Sequence, residues 1–199
     1  MSAPDVILAS ASPRRRTLLA RVGLRFEVEP SDVAEDLDGP LEPEEAAVLL
    51  ARRKALEIAG RHGGERRWVI GADTVVALPA AGGWRLLGKP ADGGEARGML
   101  ASLSASTHSV VTGVCVVETA GGGARQAAET TRVTMRRLAP AEIDAYVASG
   151  EWADKAGGYA IQESADAFVT ALEGGGFDNV VGLPVALTLR LLREAGARI

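Results

Sequence analysis

Val6-Ile7-Leu8-Ala9-Ser10-Ala11-Ser12-Pro13-Arg14-Arg15-Arg16-Thr17-Leu18-Leu19 sets the plan of the chain: apolar strand formers, a short polar turn, then a helix that opens on arginine. Ser12 carries the hydroxyl that a helix N-cap uses. Pro13 suits the first helical position, where its missing N–H would have had no partner. A strand that feeds a helix leaves free backbone N–H groups at the junction, and the helix dipole adds positive charge there. Arginines inside that terminus strengthen the attraction for an anion, with a polyphosphate as the obvious guest. The bland alternative is a helix whose first turn carries solvated arginines.

Outward from this junction the elements alternate irregularly. The first helix runs to about Gly23, and residues 27–42 are acidic, contain Pro30, Gly39 and Pro40, and predict a loop. Pro43 then opens a long helix with Ala47, Leu50, Ala51, Ala55 and Ile58 on one face. Lys54 falls inside that stripe, so it either snorkels past the core or points into a polar cleft. Residues 68–72 and 74–78 are strand formers joined through Asp73, and a Gly-Gly turn leads to a partner strand at 84–87. Asp92 and Glu95 start another helix, with Ala96, Met99, Leu100 and Leu103 on one side. Strands are predicted at 109–118 and 130–137 around a glycine turn at 121–123, then a helix at 140–149 with Ile143, Tyr146 and Val147 inward. Short strands at 159–162 and 167–172 precede a closing helix from Pro184 to about Gly196. Long hairpins among helices predict an α/β protein with a mixed, twisted sheet, flanking helices and a cleft. No repeat or linker divides it, so residues 1–199 are expected to form one domain, with room for two lobes around the cleft.

Composition excludes several classes. The formal net charge is −4, from 22 basic and 26 acidic residues, so no global positive field exists to hold a nucleic-acid backbone. Aromatics are 4% of the chain, which disfavours base-stacking platforms. Neither a signal segment nor a long apolar span is evident, so no membrane contact is expected and a cytoplasmic location is. The single cysteine, Cys115, lies in an apolar run and reads as a buried, inert thiol. His62 and His108 lack neighbours at zinc spacing, and there is no Walker loop, dinucleotide fingerprint or nucleophile elbow.

The chemistry concentrates in a few side chains. Asp73 interrupts Ile70-Gly71-Ala72-Asp73-Thr74-Val75, where an unpaired carboxylate would be costly. It is either a hydrogen-bonded bulge aspartate or a metal ligand or general base, with Glu35-Asp36 as a source of further oxygen ligands for a hard cation. Lys89 closes the hairpin that Asp73 begins, so the two can approach. In Asp154-Lys155-Ala156-Gly157-Gly158-Tyr159-Ala160-Ile161-Gln162 a charged pair and two glycines let backbone come close to a ligand. Gln162 there is either surface polarity or an amide able to read a base edge as donor and acceptor together.

As a set, these residues resemble the Maf family. The matching blocks are Ile7-Leu8-Ala9-Ser10 with Ser12-Pro13-Arg14-Arg15, Lys54-Ala55, Gly71-Ala72-Asp73-Thr74, Gly88-Lys89-Pro90, Asp154-Lys155-Ala156-Gly157 with Ile161-Gln162, and Gly182-Leu183-Pro184. The resemblance implies a Maf/ITPase-like architecture. It also implies nucleoside triphosphate pyrophosphatase activity with a divalent cation, Mg2+ or Mn2+, and suggests a homodimer. It makes Asp73 the proton acceptor and assigns Ser10, Arg14, Arg15, Lys54 and Lys89 to the triphosphate pocket, with Lys54 and Lys89 counted beside Asp73 in the catalytic set and Lys155 among the substrate-binding residues. Glu35 joins Asp73 as a metal contact, and Thr74 and Gln162 fall at positions tied to substrate choice. Glutamine resembles the dTTP and UTP branch rather than the 7-methyl-GTP branch, which carries an acid. A nucleotide sensor of cell division using the same pocket without catalysis is the alternative outside enzymes. Departures from the family pattern are Arg53, where glutamate is common, and Glu151-Trp152-Ala153 before Asp154.

Overall fold

A computed structural model describes residues 5–37, 39–121 and 123–199. Asp38 of the acidic loop and Gly122 of the predicted glycine turn lie outside the described residues. Among the described residues seven strands form one mixed sheet, in the order β2-β1-β3-β5-β6-β7, with β4 also paired to β3. The strands are β1 (Val6–Leu8), β2 (Glu27–Val28), β3 (Trp68–Ala80), β4 (Gly83–Leu87), β5 (Thr107–Glu118), β6 (Ala124–Met135) and β7 (Val169–Glu173). The helices are α1 (Pro13–Arg21), α2 (Pro43–Arg61), α3 (Gly93–Leu103), α4 (Pro140–Ser149), α5 (Phe177–Val181) and α6 (Val185–Glu194). Pairing of β1 with β2 and β3 is parallel, and every other ladder is antiparallel. The α/β class with a mixed sheet is therefore the architecture of the chain.

Strand β3 organises the sheet, because its two edges are used differently. One edge pairs with β5 continuously from Trp68 to Ala77. The other is divided: Trp68, Val69 and Ile70 pair with β1, whereas Val76 to Ala80 pair with β4. Residues 71–75 therefore have no strand beside them on that edge, and Asp73 stands at the middle of the gap. Successive side chains alternate between faces of a strand. Val69 faces α2 with Ile7, Ala9 and Cys115 against Ala51, Ala55 and Ile58. Ile70 and Ala72 face the other layer, with Leu19, Leu183, Leu187 and Leu191. By the same alternation Asp73 projects toward α2 and Thr74 toward α1. A third cluster under α3 and α4 joins Met99, Leu100, Leu103, Ile143 and Tyr146 to the far end of the sheet.

Helix α2 lies against the sheet backbone to backbone. A Cβ on Gly71 would collide with the carbonyl of Ala51 and stand 2.7 Å from the nitrogen of Ala55; one on Gly113, the partner of Asp73 across β5, would strike the backbone of Ala47 and Val48. Alanines at 47, 51 and 55 keep the helix side of this contact equally thin, and all are fully buried. Lys54 is thus carried over the sheet at the level of Asp73.

Several local expectations differ from the fold: β6 begins at Ala124 rather than at 130, a 3-10 segment at Ser164–Phe168 delays β7 to Val169, and α5 is not expected from the sequence. Residues 159–162 are not a strand but a turn between two short 3-10 segments, closed by Glu163 N donating to Ala160 O at 3.1 Å. The apolar residues there are drawn inward singly: Tyr159 is buried and meets His108 of β5 through a 2.8 Å hydrogen bond. The acidic loop also contains a short strand, β2, which two residues were too few to signal. The remaining features follow the expected chemistry: Ser12 Oγ caps α1 by accepting from Arg15 N, Asp92 Oδ1 caps α3 by accepting from Glu95 N, and Cys115 is buried, its thiol pushed up to about 11 by burial. No helix among the described residues is long and apolar enough to cross a membrane.

Because the helix backbone occupies the place of a side chain at position 113, Gly113→Ala should destabilise the protein by about 1–3 kcal/mol or more through overpacking. Urea unfolding followed by circular dichroism measures it; an unchanged midpoint would show that α2 does not rest on this strand.

Candidate active site

The gap in the β3 edge opens into a cleft of about 790 Å3, lined by the β1–α1 junction, the middle of β3, Lys54 of α2, Gly88 and Lys89 after β4, residues 153–156 and 159–160 with Gln162, and Gly182. Ser10, Arg14, Arg15, Glu35, Lys54, Asp73, Thr74, Lys89, Lys155 and Gln162 all line it, whereas Asp36, offered with Glu35 as a source of oxygen ligands, does not. Five lining side chains are cationic and three are carboxylates, Glu35, Asp73 and Asp154. The cleft is thus locally positive in a chain of net charge −4.

At its floor the charges alternate. Lys54 Nζ donates to Asp73 Oδ1 at 2.5 Å and to Glu35 Oε1 at 2.6 Å, and Lys89 Nζ donates to Glu35 Oε2 at 3.2 Å. Lys54 and Asp73 are both buried, so each is paired as a buried ion must be. Lys54 therefore points into a polar cleft rather than past the core. Asp73 and Lys89 are brought together through Lys54 and Glu35, not by direct contact. Arg53, which departs from the family pattern, holds the Glu35 loop by donating to Asp36 O at 2.6 Å. Burial pushes the Glu35 carboxyl up, but hydrogen bonding and charge from Lys54, joined by Lys89, outweigh it and hold it below the ordinary value.

The opposite wall is a directed hydrogen-bond chain. Arg15 donates from Nε to Gly182 O at 2.8 Å, from Nη1 to Ser10 Oγ at 3.2 Å and from Nη2 to Thr74 Oγ1 at 3.2 Å. Thr112 Oγ1 donates its proton to Asn179 O at 2.9 Å, so in the 2.9 Å contact between the two hydroxyls Thr74 is the donor. Asn179 is fully buried and anchors α5 by donating to Val110 O and Thr131 Oγ1. Arg15 thereby ties the α1 terminus, β3 and Gly182 into one unit. The Arg14 side chain has no hydrogen-bond or ion-pair partner among the described residues and lines the cleft.

Sequence reasoning did not single out Thr112, Asn179 or Glu163. Thr112 had one available signal, a polar residue inside an apolar run, whereas Asn179 follows Asp178 and stands out by no such pattern. The third wall is the turn carrying Lys155 and Gln162, packed over Tyr159 and His108. Burial pulls His108 down to about 4, leaving a neutral imidazole edge-to-face with Tyr159 at 5.6 Å between ring centroids.

Glu35 and Asp73 share one ammonium, and both offer carboxylate oxygen, the donor type hard cations take. No cluster of three His, Cys, Asp or Glu that could hold a metal occurs among the described residues. Two carboxylates suit a cation that takes its remaining ligands from substrate phosphate and water, as Mg2+ commonly does.

A split sheet edge holding a buried aspartate–lysine pair, beside an arginine-bearing helix terminus, defines an α/β protein with a cation-rich cleft. The chain belongs to the Maf-like protein family, whose model matches residues 5–195. It is 46% identical over 195 residues to a dTTP/UTP pyrophosphatase of Pelotomaculum thermopropionicum, covering 98% of both chains. It is 48% identical to that of Deinococcus radiodurans over 98% of this chain and 95% of the relative, and 47% identical to that of Myxococcus xanthus over 96% and 92%.

Removing Lys54 leaves Asp73 as an uncompensated buried charge, so Lys54→Met should cost about 3–5 kcal/mol in urea unfolding. Glu35 acts in the acid range. Its carboxyl titrates lower folded than unfolded, so its stabilisation is present above the ordinary value of about 4.3 and is lost as pH falls through the depressed one. Thermal unfolding as a function of pH should therefore show a shallower acid limb for Glu35→Gln than for the parent protein.

Proposed function

We propose that the protein hydrolyses dTTP and UTP to the nucleoside monophosphate and pyrophosphate, by attack of water on the α-phosphorus. The observation that carries this reading is Asp73: a buried carboxylate at the only break in the β3 ladder, within one cleft of Lys54, Lys89 and the α1 terminus. A site for holding phosphate alone needs the cations but not an acid at its floor. The names of the relatives, dTTP/UTP pyrophosphatases at similar length, supply the substrate class. Free nucleotide in an enclosed cleft, rather than nucleic acid on an open surface, is the partner this charge distribution suits.

In this reading Arg14, through its guanidinium and its backbone N–H in the first turn of α1, receives the triphosphate with Lys54 and Lys89 and neutralises charge as it builds on the phosphoryl oxygens. Positioning and electrostatics of this kind supply most of the catalysis in phosphoryl transfer. Ser10 and Arg15 shape the wall, and Thr74, whose proton is committed to Thr112, meets substrate only as an acceptor. Asp73 orients the attacking water and takes its proton. Glu35 and Asp73 are the residues that would hold a divalent cation, and Lys54 must then yield part of its present pairing. Such a cation, bound there, supplies further charge neutralisation and polarises water. Gln162 meets the base edge, and Lys155 supports the same wall.

Pyrophosphate release from dTTP, UTP, CTP, GTP and 7-methyl-GTP with Mg2+ or Mn2+ is the direct test. Turnover of dTTP and UTP should dominate and be abolished by chelation. Asp73→Asn should lose at least about a hundredfold in kcat while nucleotide binding, followed by calorimetry, persists. Retained turnover in that variant removes Asp73 from the role of base, and absence of release from every nucleotide leaves a binding protein.

A further inference from the structure

Gln162 lines the cleft, and its amide, though exposed, has a side-chain partner in Glu163. Glu163 Oε1 accepts from Gln162 Nε2 at 3.2 Å, and Glu163 Oε2 is 3.3 Å from Lys155 Nζ. Lys155 is itself held: its side chain is 11% exposed, and Nζ also donates to Ala153 O at 3.4 Å. On the far side Glu151 Oε2 accepts from Ser164 N at 3.1 Å and from Ser164 Oγ at 2.5 Å, which fixes the backbone just after Glu163. Lys155, Glu163 and Gln162 thus form a short chain on a braced turn. A carboxylate only accepts, whereas a glutamine amide has a donor end and an acceptor end. Turning Gln162 over would set its carbonyl against the Glu163 oxygen with no proton between them. Glu163 therefore keeps the NH2 end of Gln162 on its own side.

The geometry points to Glu163 as a specificity-determining residue that locks Gln162 in one amide orientation and so selects uracil and thymine over cytosine. The inference rests on the reading of the cleft as a pyrimidine nucleotide site. Uracil and thymine present an N3–H donor beside the O4 acceptor, and cytosine presents the inverse, an N3 acceptor beside the N4 amino donor. A glutamine amide complements the first pair in one orientation and the second when flipped. An unrestrained amide turns to suit either base and discriminates little. With one N–H given to Glu163, Gln162 retains its carbonyl and its second N–H in a fixed order, and one order fits one pair.

Two substitutions separate this lock from a structural role. Glu163→Ala removes the constraint, so the ratio of kcat/KM for UTP over CTP should fall about tenfold, as loss of a bidentate base contact would give. Glu163→Gln does more. Lys155 can only donate, so it retains the carbonyl end of the introduced amide. The NH2 end then faces Gln162, which must turn its own carbonyl toward it. The E163Q ratio should fall below that of E163A, with kcat/KM for CTP rising in absolute terms, and dTTP against dCTP should behave alike. Wild-type protein that prefers UTP while folded E163Q, checked by thermal unfolding, keeps the same ratio overturns the role of Glu163 alone. Wild-type protein that releases pyrophosphate from none of the four nucleotides overturns the reading of the cleft, and this inference with it.

Discussion

The seat of α2 on the sheet is the constraint from which the rest follows. Gly71 and Gly113 remove two side chains where the helix crosses β3 and β5, and the alanines at 47, 51 and 55 remove the opposing ones. With backbone meeting backbone at these two points and Ile58, Val69 and Cys115 packed beside them, the helix is seated close on the sheet. That fixes the height of Lys54 above β3, which makes a 2.5 Å pair with Asp73 possible and keeps a buried carboxylate tolerable. Glu35 is then placed by Lys54, and Lys89 by Glu35. A polar floor of four alternating charges thus hangs from an apolar contact in which glycine and alanine bring helix and sheet backbones together.

The opposite wall works by different means. Arg15 reaches three acceptors on three separate elements, and the hydroxyls of Thr74 and Thr112 carry the chain to Asn179 and α5. This network spends its protons in one direction, and the buried Asn179 Oδ1 is an acceptor in it without a partner. The cleft therefore lies between a wall set by packing and a wall set by hydrogen bonding, and the mobile-looking composition of residues 153–164 is braced by Glu151, Tyr159 and His108.

Much of this was legible in the chain. The junction after β1 announced itself through Ser12 and Pro13, and Lys54 and Asp73 stood out because each broke an apolar pattern that periodicity makes readable. The turn at 159–162 reads as a strand because Tyr159, Ala160 and Ile161 are apolar; all three are consecutive and buried without forming a strand, which no period records. Nor could spacing show that Asp73 meets Lys89 only through Glu35, or that Arg15 is spent on Gly182, since those contacts depend on tertiary closure across 167 residues. Glu163 left no mark on any pattern, being one more exposed acid in a polar turn until its partners were in place.

The break in the β3 edge also bears on how the protein avoids unwanted association. An unpaired strand edge usually invites another chain to add a strand, and proteins blunt such edges with charge, shortness or cover. Here the open stretch is five residues long and flanked at both ends, by β1 and by β4, so it is an interior edge that an incoming strand cannot enter in register. The backbone next to Asp73 can stay open to small molecules while remaining closed to polypeptide, and the sheet carries its cleft without the aggregation risk of a bare margin.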